Sequence, residues 1–221
     1  MSTRQLVVVN AGLSNPSSTR DIATRVADAA EHEVAATGGA VEVTVLDLRA
    51  LAGDLATYMT TMIPTPDLED ARTLVGSADA LVAATPVFQG SYAGLFKMFF
   101  DTLDKHALQG VPVTLVATAG TPRHSMVLDY AMRPLLSFLQ ATVLPTGVFV
   151  ATGEYGEDGG AGGVEDLRVR IARAGRELAA ELGTGPSAGT ADSGAQPRSG
   201  QDRGAGEFGG FEALLRVHSG A

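Results

Sequence analysis

Leu6-Val-Val-Val-Asn10-Ala-Gly12-Leu13-Ser14-Asn15-Pro16-Ser17-Ser18-Thr19-Arg20 is the stretch on which the fold turns. A short apolar run rich in β-branched residues gives way to a polar turn with several hydroxyls, and helical period then runs from Thr19 to Ala36. A strand apolar on both faces is a strand covered on both faces, and a strand that feeds a helix through a short turn is half of a parallel crossover unit. The turn carries one glycine, Gly12, where a dinucleotide-binding Rossmann turn needs G-x-G-x-x-G. It also lacks the G-K-[ST] ending of a nucleotide P-loop.

Outward from that unit the pattern repeats. Strands are expected at Val41–Leu46, Ala80–Thr85, Val113–Thr118 and Val143–Val150, and helices at Pro66–Ser77, Ser91–His106, Met126–Ala141 and Val164–Leu182. With the first pair, this predicts an α/β three-layer sandwich, a five-stranded parallel sheet with helices on both faces. Val41-Glu-Val-Thr-Val alternates instead of running apolar, which suits a strand near an edge and the order 2-1-3-4-5 of flavodoxin-like sheets.

The 221 residues carry 16 Lys and Arg against 25 Asp and Glu, a formal charge of −9, which argues against a general nucleic-acid binder or a protein held on anionic lipid. Hydrophobic residues make up 45%, enough to bury a substantial core. The chain has no cysteine, so disulfides, thiolate metal sites and thiol nucleophiles drop out. No apolar run reaches the length of a membrane span, and Met1-Ser-Thr-Arg-Gln leads into a strand instead of a secretory segment; the expectation is a soluble, cytoplasmic protein. Residues 1–182 form the expected domain. Residues 183–206, rich in Gly, Ser, Ala and Pro, are expected to be a disordered linker, and 207–221 regain an apolar stripe compatible with a short helix or a frayed tail.

Three loops carry the candidate chemistry. In the first, Gly12, Leu13, Ser14, Ser17, Ser18, Thr19 and Arg20 surround a helix start, where unpaired amides, hydroxyls and a guanidinium suit a phosphate. The second, Pro86-Val87-Phe88-Gln89-Gly90-Ser91, leaves the third strand beside it, and ligands of open parallel sheets sit outside the strand ends where the chain order reverses. Phe88 can flank a planar ring, and Gly90 permits close approach of backbone N–H groups to the ring's edge. The third, Gly120-Thr121-Pro122-Arg123-His124, ends the fourth strand with a cation and an imidazole. No His-x-x-x-His spacing or His-carboxylate cluster suggests a metal, and no G-x-S-x-G elbow suggests a serine nucleophile. That scarcity of acid-base and covalent groups fits an enzyme whose bound cofactor carries the chemistry.

At these loops the sequence resembles the NAD(P)H-dependent FMN reductase family, and within it the actinobacterial branch similar to the flavin reductases of two-component sulfonate monooxygenases. The resemblance spans about residues 4 to 182 and is carried by Ala11–Arg20, Thr85–Lys97, Thr121–His124 and Tyr130–Leu136. It implies FMN phosphate at Ser14, Ser17 and Thr19 with Ser18 and Arg20 in the same turn. The ring system would lie against Pro86–Ser91, and Gly120–His124 would border its far side. It further implies NADPH or NADH as co-substrate, a homodimer or homotetramer, and a flavin-dependent monooxygenase partner. Phe88 stands where relatives often have Tyr, and Ala119 where they often have a second glycine. A quinone or azo reductase with permanently held FMN, and a flavodoxin-like electron carrier without NAD(P)H activity, are the alternative readings.

Overall fold

A computed structural model describes residues 3–154 and 163–184. The expected linker beyond residue 184 and the expected C-terminal helix or tail lie outside the described residues.

The central sheet is parallel. Strands β1 (Arg4–Asn10), β2 (Val41–Asp47), β3 (Ala80–Phe88) and β5 (Pro112–Ala119) lie in the order β2-β1-β3-β5, with β6 (Thr142–Val143) and β7 (Val148–Ala151) both paired to β5. This is the expected order, with two departures in strand count. The fifth expected strand, Val143–Val150, is broken into β6 and β7 by Leu144-Pro145-Thr146-Gly147, where Pro145 has no N–H to give a ladder. A two-residue strand, β4 (Ser91–Tyr92), turns back antiparallel on β3, pairing Val87 with Tyr92 and Phe88 with Ser91. The helix expected from Ser91 therefore begins only at Gly94, as α4 (Gly94–Phe100).

Alternation along β1 sorts the core into two layers. Leu6 and Val8 pack with Val82, Val116 and the apolar faces of α1 (Ser18–Ala36) and α6 (Gly163–Thr184). Val7 and Val9 pack with Leu81, Leu115 and residues of α2 (Ala52–Thr61), α3 (Pro66–Gly76), α4 and α5 (Arg133–Phe138). β2 is only half buried along its length, as its alternating sequence anticipates for an edge. Helices α1 and α6 touch closely: a Cβ at Gly175 would fall 2.6 Å from Ala29 Cβ and 2.9 Å from the Ala29 carbonyl carbon.

The helix expected over Met126–Ala141 is a π-helical turn at Leu128–Met132 running into α5. Pro134 sits at the start of α5, and a proline ring clashes with the carbonyl four residues back in a regular α-helix; the wider turn lies at that point. α2 has no counterpart among the expected helices, although the Thr57–Asp70 stretch stands out in sequence as a helical insertion.

Candidate active site

The carboxyl ends of the parallel strands carry the site, as the reversal of chain order between β1 and β3 dictates. β1 ends at Asn10, whose side chain organises the turn that follows: Oδ1 accepts from the Gly12 N–H at 3.0 Å and Nδ2 donates to Asp47 Oδ1 at 2.7 Å. Gly12 is a packing requirement, since a Cβ there would lie 2.1 Å from Ser17 Oγ. Ser17 is the N-cap of α1 in extended geometry, its Oγ accepting from the Arg20 N–H at 3.2 Å. The amides of Ser18 and Thr19, in the first turn, have no intrahelical acceptor.

A cavity of about 580 Å³ opens over this helix start. Leu13, Ser14, Ser18 and Thr19 border it from the first loop, Pro86, Val87 and Phe88 from the second, and Ala119 and Gly120 from the third. Thr118, Val150, Ala151 and Thr152 complete the lining. Strand register explains the grouping, because Pro86, Thr118 and Val150 lie abreast on β3, β5 and β7. Thr19, 2% exposed, joins hydroxyls with Thr118 at 2.7 Å, so the opening of α1 is tied to the end of β5. One hydrogen bond consumes one of the pair's two protons, and the other is left for a ligand.

The second loop is a tight hairpin. Gln89 (φ 51°) and Gly90 (φ 79°) hold positive φ side by side, the requirement of a type I′ turn between twisted strands. Thr85 anchors the base: its Oγ1 accepts from the Ala93 N–H at 2.9 Å and donates to the Pro86 carbonyl at 2.9 Å. Phe88 presents an exposed ring at the cavity wall.

The structure thus brings Leu13, Ser14, Ser18, Thr19, Pro86, Val87, Phe88 and Gly120 to one cavity. Gly12, Ser17 and Arg20 border a neighbouring depression with Asp47 and Arg49. Gln89 and Gly90 form the exposed hairpin tip and Ser91 follows it in β4. Thr121 precedes a short 3-10 turn at Pro122–His124, with Arg123 exposed and His124 partly buried; these residues do not border the cavity itself. Sequence reasoning missed Thr118 and the β7 end at Val150–Thr152, whose signal is topological: Thr118 lies near the end of β5 beside β3, and β7 is the next strand out from it.

The fit to FMN rests on the donor set and the walls. Ser14, Ser18 and Thr19, at the start of a helix, suit a phosphate, and apolar Pro86, Val87, Phe88 and Ala119 suit a ring system.

A flavodoxin-like α/β sheet with a hydroxyl-rich loop and a cavity at its switch point has the architecture of mononucleotide-binding proteins. The family model described as NADPH-dependent FMN reductase matches residues 4–156. An FMN reductase (NADPH) of Pseudomonas aeruginosa is 41% identical over 111 residues, covering 50% of this chain and 60% of that protein. The NADH-dependent FMN reductase SfnE of Pseudomonas putida is 36% identical over 168 residues, covering 76% of this chain and 87% of that protein. A crystal structure of an oxidoreductase from Corynebacterium diphtheriae superposes with a TM-score of 0.78 at 50% identity, covering 83% of this chain and 99% of that one. The chain belongs to the NADPH-dependent FMN reductase family. It is an oxidoreductase of the FMN and reduced-nicotinamide class.

Proposed function

We propose that this chain passes a hydride from NADPH or NADH to FMN held in the 580 Å³ cavity and releases the reduced flavin to a two-component monooxygenase. The observation that carries the reading is the cavity itself, whose lining combines the hydroxyl residues of the α1 opening with the apolar residues that end β3 and β7. When bound, FMN supplies the hydride-accepting centre.

The chain's own residues bind and orient. Ser14, Ser18 and the Ser18 and Thr19 amides hold the phosphate, with Thr118 fixing Thr19 and Ser17 fixing the turn behind it. Pro86, Val87 and Phe88 wall one side of the ring site and Ala119 and Gly120 border the other. The Gln89-Gly90 hairpin and the Ser91 that follows it bring main-chain N–H groups toward the ring's polar edge, and Thr121, Arg123 and His124 form the outer rim. Donors fixed in advance by a turn favour the charge that reduction builds up, without reorganising as it forms. No side chain is assigned as acid or base.

Assembly as a homodimer or homotetramer belongs to the same reading. Met59, Met62 and Ile63 stand exposed at the end of α2 and just beyond it, an apolar surface suited to a second copy. No helix among the described residues is long and apolar enough to cross a membrane, in keeping with action in the cytoplasm.

The test is nicotinamide oxidation by the purified chain at varied FMN, with NADPH and NADH in turn. Saturable, FMN-dependent oxidation with reduced flavin released into solution is the expected result. Oxidation with flavin retained and fast quinone or azo-dye reduction would replace the reading with the permanently flavinated reductase, and tight FMN binding without oxidation would replace it with the carrier. The naming of SfnE as NADH-dependent and of the Pseudomonas aeruginosa relative as NADPH-dependent makes the ranking of the two nicotinamides part of the same measurement.

A further inference from the structure

Next to the flavin cavity lies a depression of about 380 Å³, and two arginines distant in sequence both line it. Arg20 comes from the first turn of α1 and Arg49 from the turn that follows β2. Arg20 pairs with Asp47 Oδ2 at 2.9 Å, and Arg49 Nη1 donates to the Leu13 carbonyl at 3.1 Å. The second Asp47 oxygen accepts from Asn10 at 2.7 Å. Asp47 is therefore matched in charge by Arg20 and engaged at both oxygens, and Arg49 carries the wall's surplus positive charge. A guanidinium has five N–H donors in a fixed fork, so the contacts named use only part of what the two side chains offer. Two such forks facing one depression suit a tetrahedral dianion, a phosphate monoester above other anions.

Ser14 borders both this depression and the flavin cavity, so the depression opens directly beside the flavin site. The phosphate of FMN is already assigned to the α1 opening on the flavin side. We infer that the Arg20–Arg49 depression receives the 2′-phosphate of NADPH and sets the preference of the enzyme for NADPH over NADH. The inference rests on the reductase reading above. NADPH and NADH differ only in that phosphate, which is remote from the transferred hydride. A residue that binds it changes KM for one nicotinamide and leaves the chemical step alone.

The experiment uses the full chain with FMN, as wild type, Arg49→Gln and Arg49→Lys, and measures KM and kcat for both nicotinamides together with FMN affinity. The wild type is expected to favour NADPH. Arg49→Gln is expected to raise KM for NADPH about tenfold or more, the scale of a lost charge-assisted hydrogen bond. KM for NADH, kcat and FMN affinity stay unchanged, and Arg49→Lys recovers part of the loss. 2′-AMP competes with NADPH better than 5′-AMP does in the wild type, and that advantage disappears in Arg49→Gln. Equal effects on both nicotinamides, no effect, or a wild type without NADPH preference overturn the inference. So does weakened FMN binding in Arg49→Gln, which would hand the depression to the phosphate of FMN. Absence of FMN-dependent oxidation with either nicotinamide in the wild type strikes the reductase reading instead.

Discussion

Thr19 and Thr118 share a buried hydrogen bond of 2.7 Å across a sequence separation of 99 residues, joining the first turn of α1 to the last turn-ward residues of β5. Removing one partner leaves the other hydroxyl without its protein partner at the cavity wall. Thr118→Val is expected to destabilise the fold by about 1–2 kcal/mol and to weaken FMN binding. The double variant Thr19→Val/Thr118→Val is expected to regain part of the stability, because no hydroxyl is left unpaired, while FMN binding stays weak. Urea unfolding and flavin-fluorescence titration of the three proteins check both halves.

Gly12 faces Ser17 with no room for a side chain, its notional Cβ lying 2.1 Å from Ser17 Oγ. Gly12→Ala must push the N-cap out of place, and lost caps cost about 1 kcal/mol. FMN affinity is expected to fall by about tenfold, since the amides of the α1 opening move with the cap. Ser17→Ala removes the same cap, so adding it to Gly12→Ala is expected to cost little further stability, a non-additivity measured by thermal unfolding.

At the hairpin tip, a Cβ on Gly90 would meet no protein atom within 4 Å, yet φ is +79°. The cost of Gly90→Val is thus conformational, about 1–2 kcal/mol for a β-branched residue forced to positive φ. Any loss of flavin affinity and reductase rate beyond that destabilisation measures how near the ring comes to the hairpin. Retention of both at wild-type levels in a folded Gly90→Val would remove the hairpin from the site.

Glu177 on α6 accepts from the Thr146 N–H at 2.9 Å and the Thr146 hydroxyl at 2.6 Å, holding the segment that separates β6 from β7. Burial pushes its carboxyl pKa up, but the two Thr146 hydrogen bonds and nearby Arg173 outweigh that and leave it below the ordinary 4.5. A carboxylate depressed in the folded state contributes stability that is present above its unfolded pKa and is lost as pH falls through the folded one. Glu177→Gln is expected to flatten the acid side of the stability profile below about pH 4.5, as read from urea midpoints taken at several pH values.

Ile63 is 69% exposed and Met62 68% exposed, an apolar pair beside the α2 terminus. Ile63→Glu is expected to shift the chain to a smaller species in size-exclusion chromatography with light scattering, without altering the circular-dichroism spectrum. An unchanged mass would place the subunit contact elsewhere.

β1, β3, β5 and the α1 loop were legible because their signals are local: apolar runs mark strands covered on both faces, alternation marks β2 as an edge, and Ser17 is a good cap wherever it stands before a helical period. The β6–β7 break was not read from Pro145, since an apolar run around one proline still reads as a strand until a partner ladder is seen. Gly94 and the Ser91-Tyr92 return were hidden inside one helical period. In the site, Ser14, Ser18 and Phe88 were found because they sit on loops. Thr118 and Thr152 were missed because they read as the ends of ordinary strands. The placing of Arg20 and Arg49 on one depression depends on the parallel pairing of β1 with β2 and has no local signature at all.

The contact between Gly175 and Ala29 constrains how this chain can diverge. Any atom added at 175 must be accommodated by the backbone of α1, and position 29 has little left to give, being alanine already. The two sites form a ratchet closed at its smallest setting: a larger side chain at either one displaces the helix whose opening turn borders the cavity. A larger residue at 175 is therefore expected to disturb the cavity from the far side of α1, without touching anything the cavity holds.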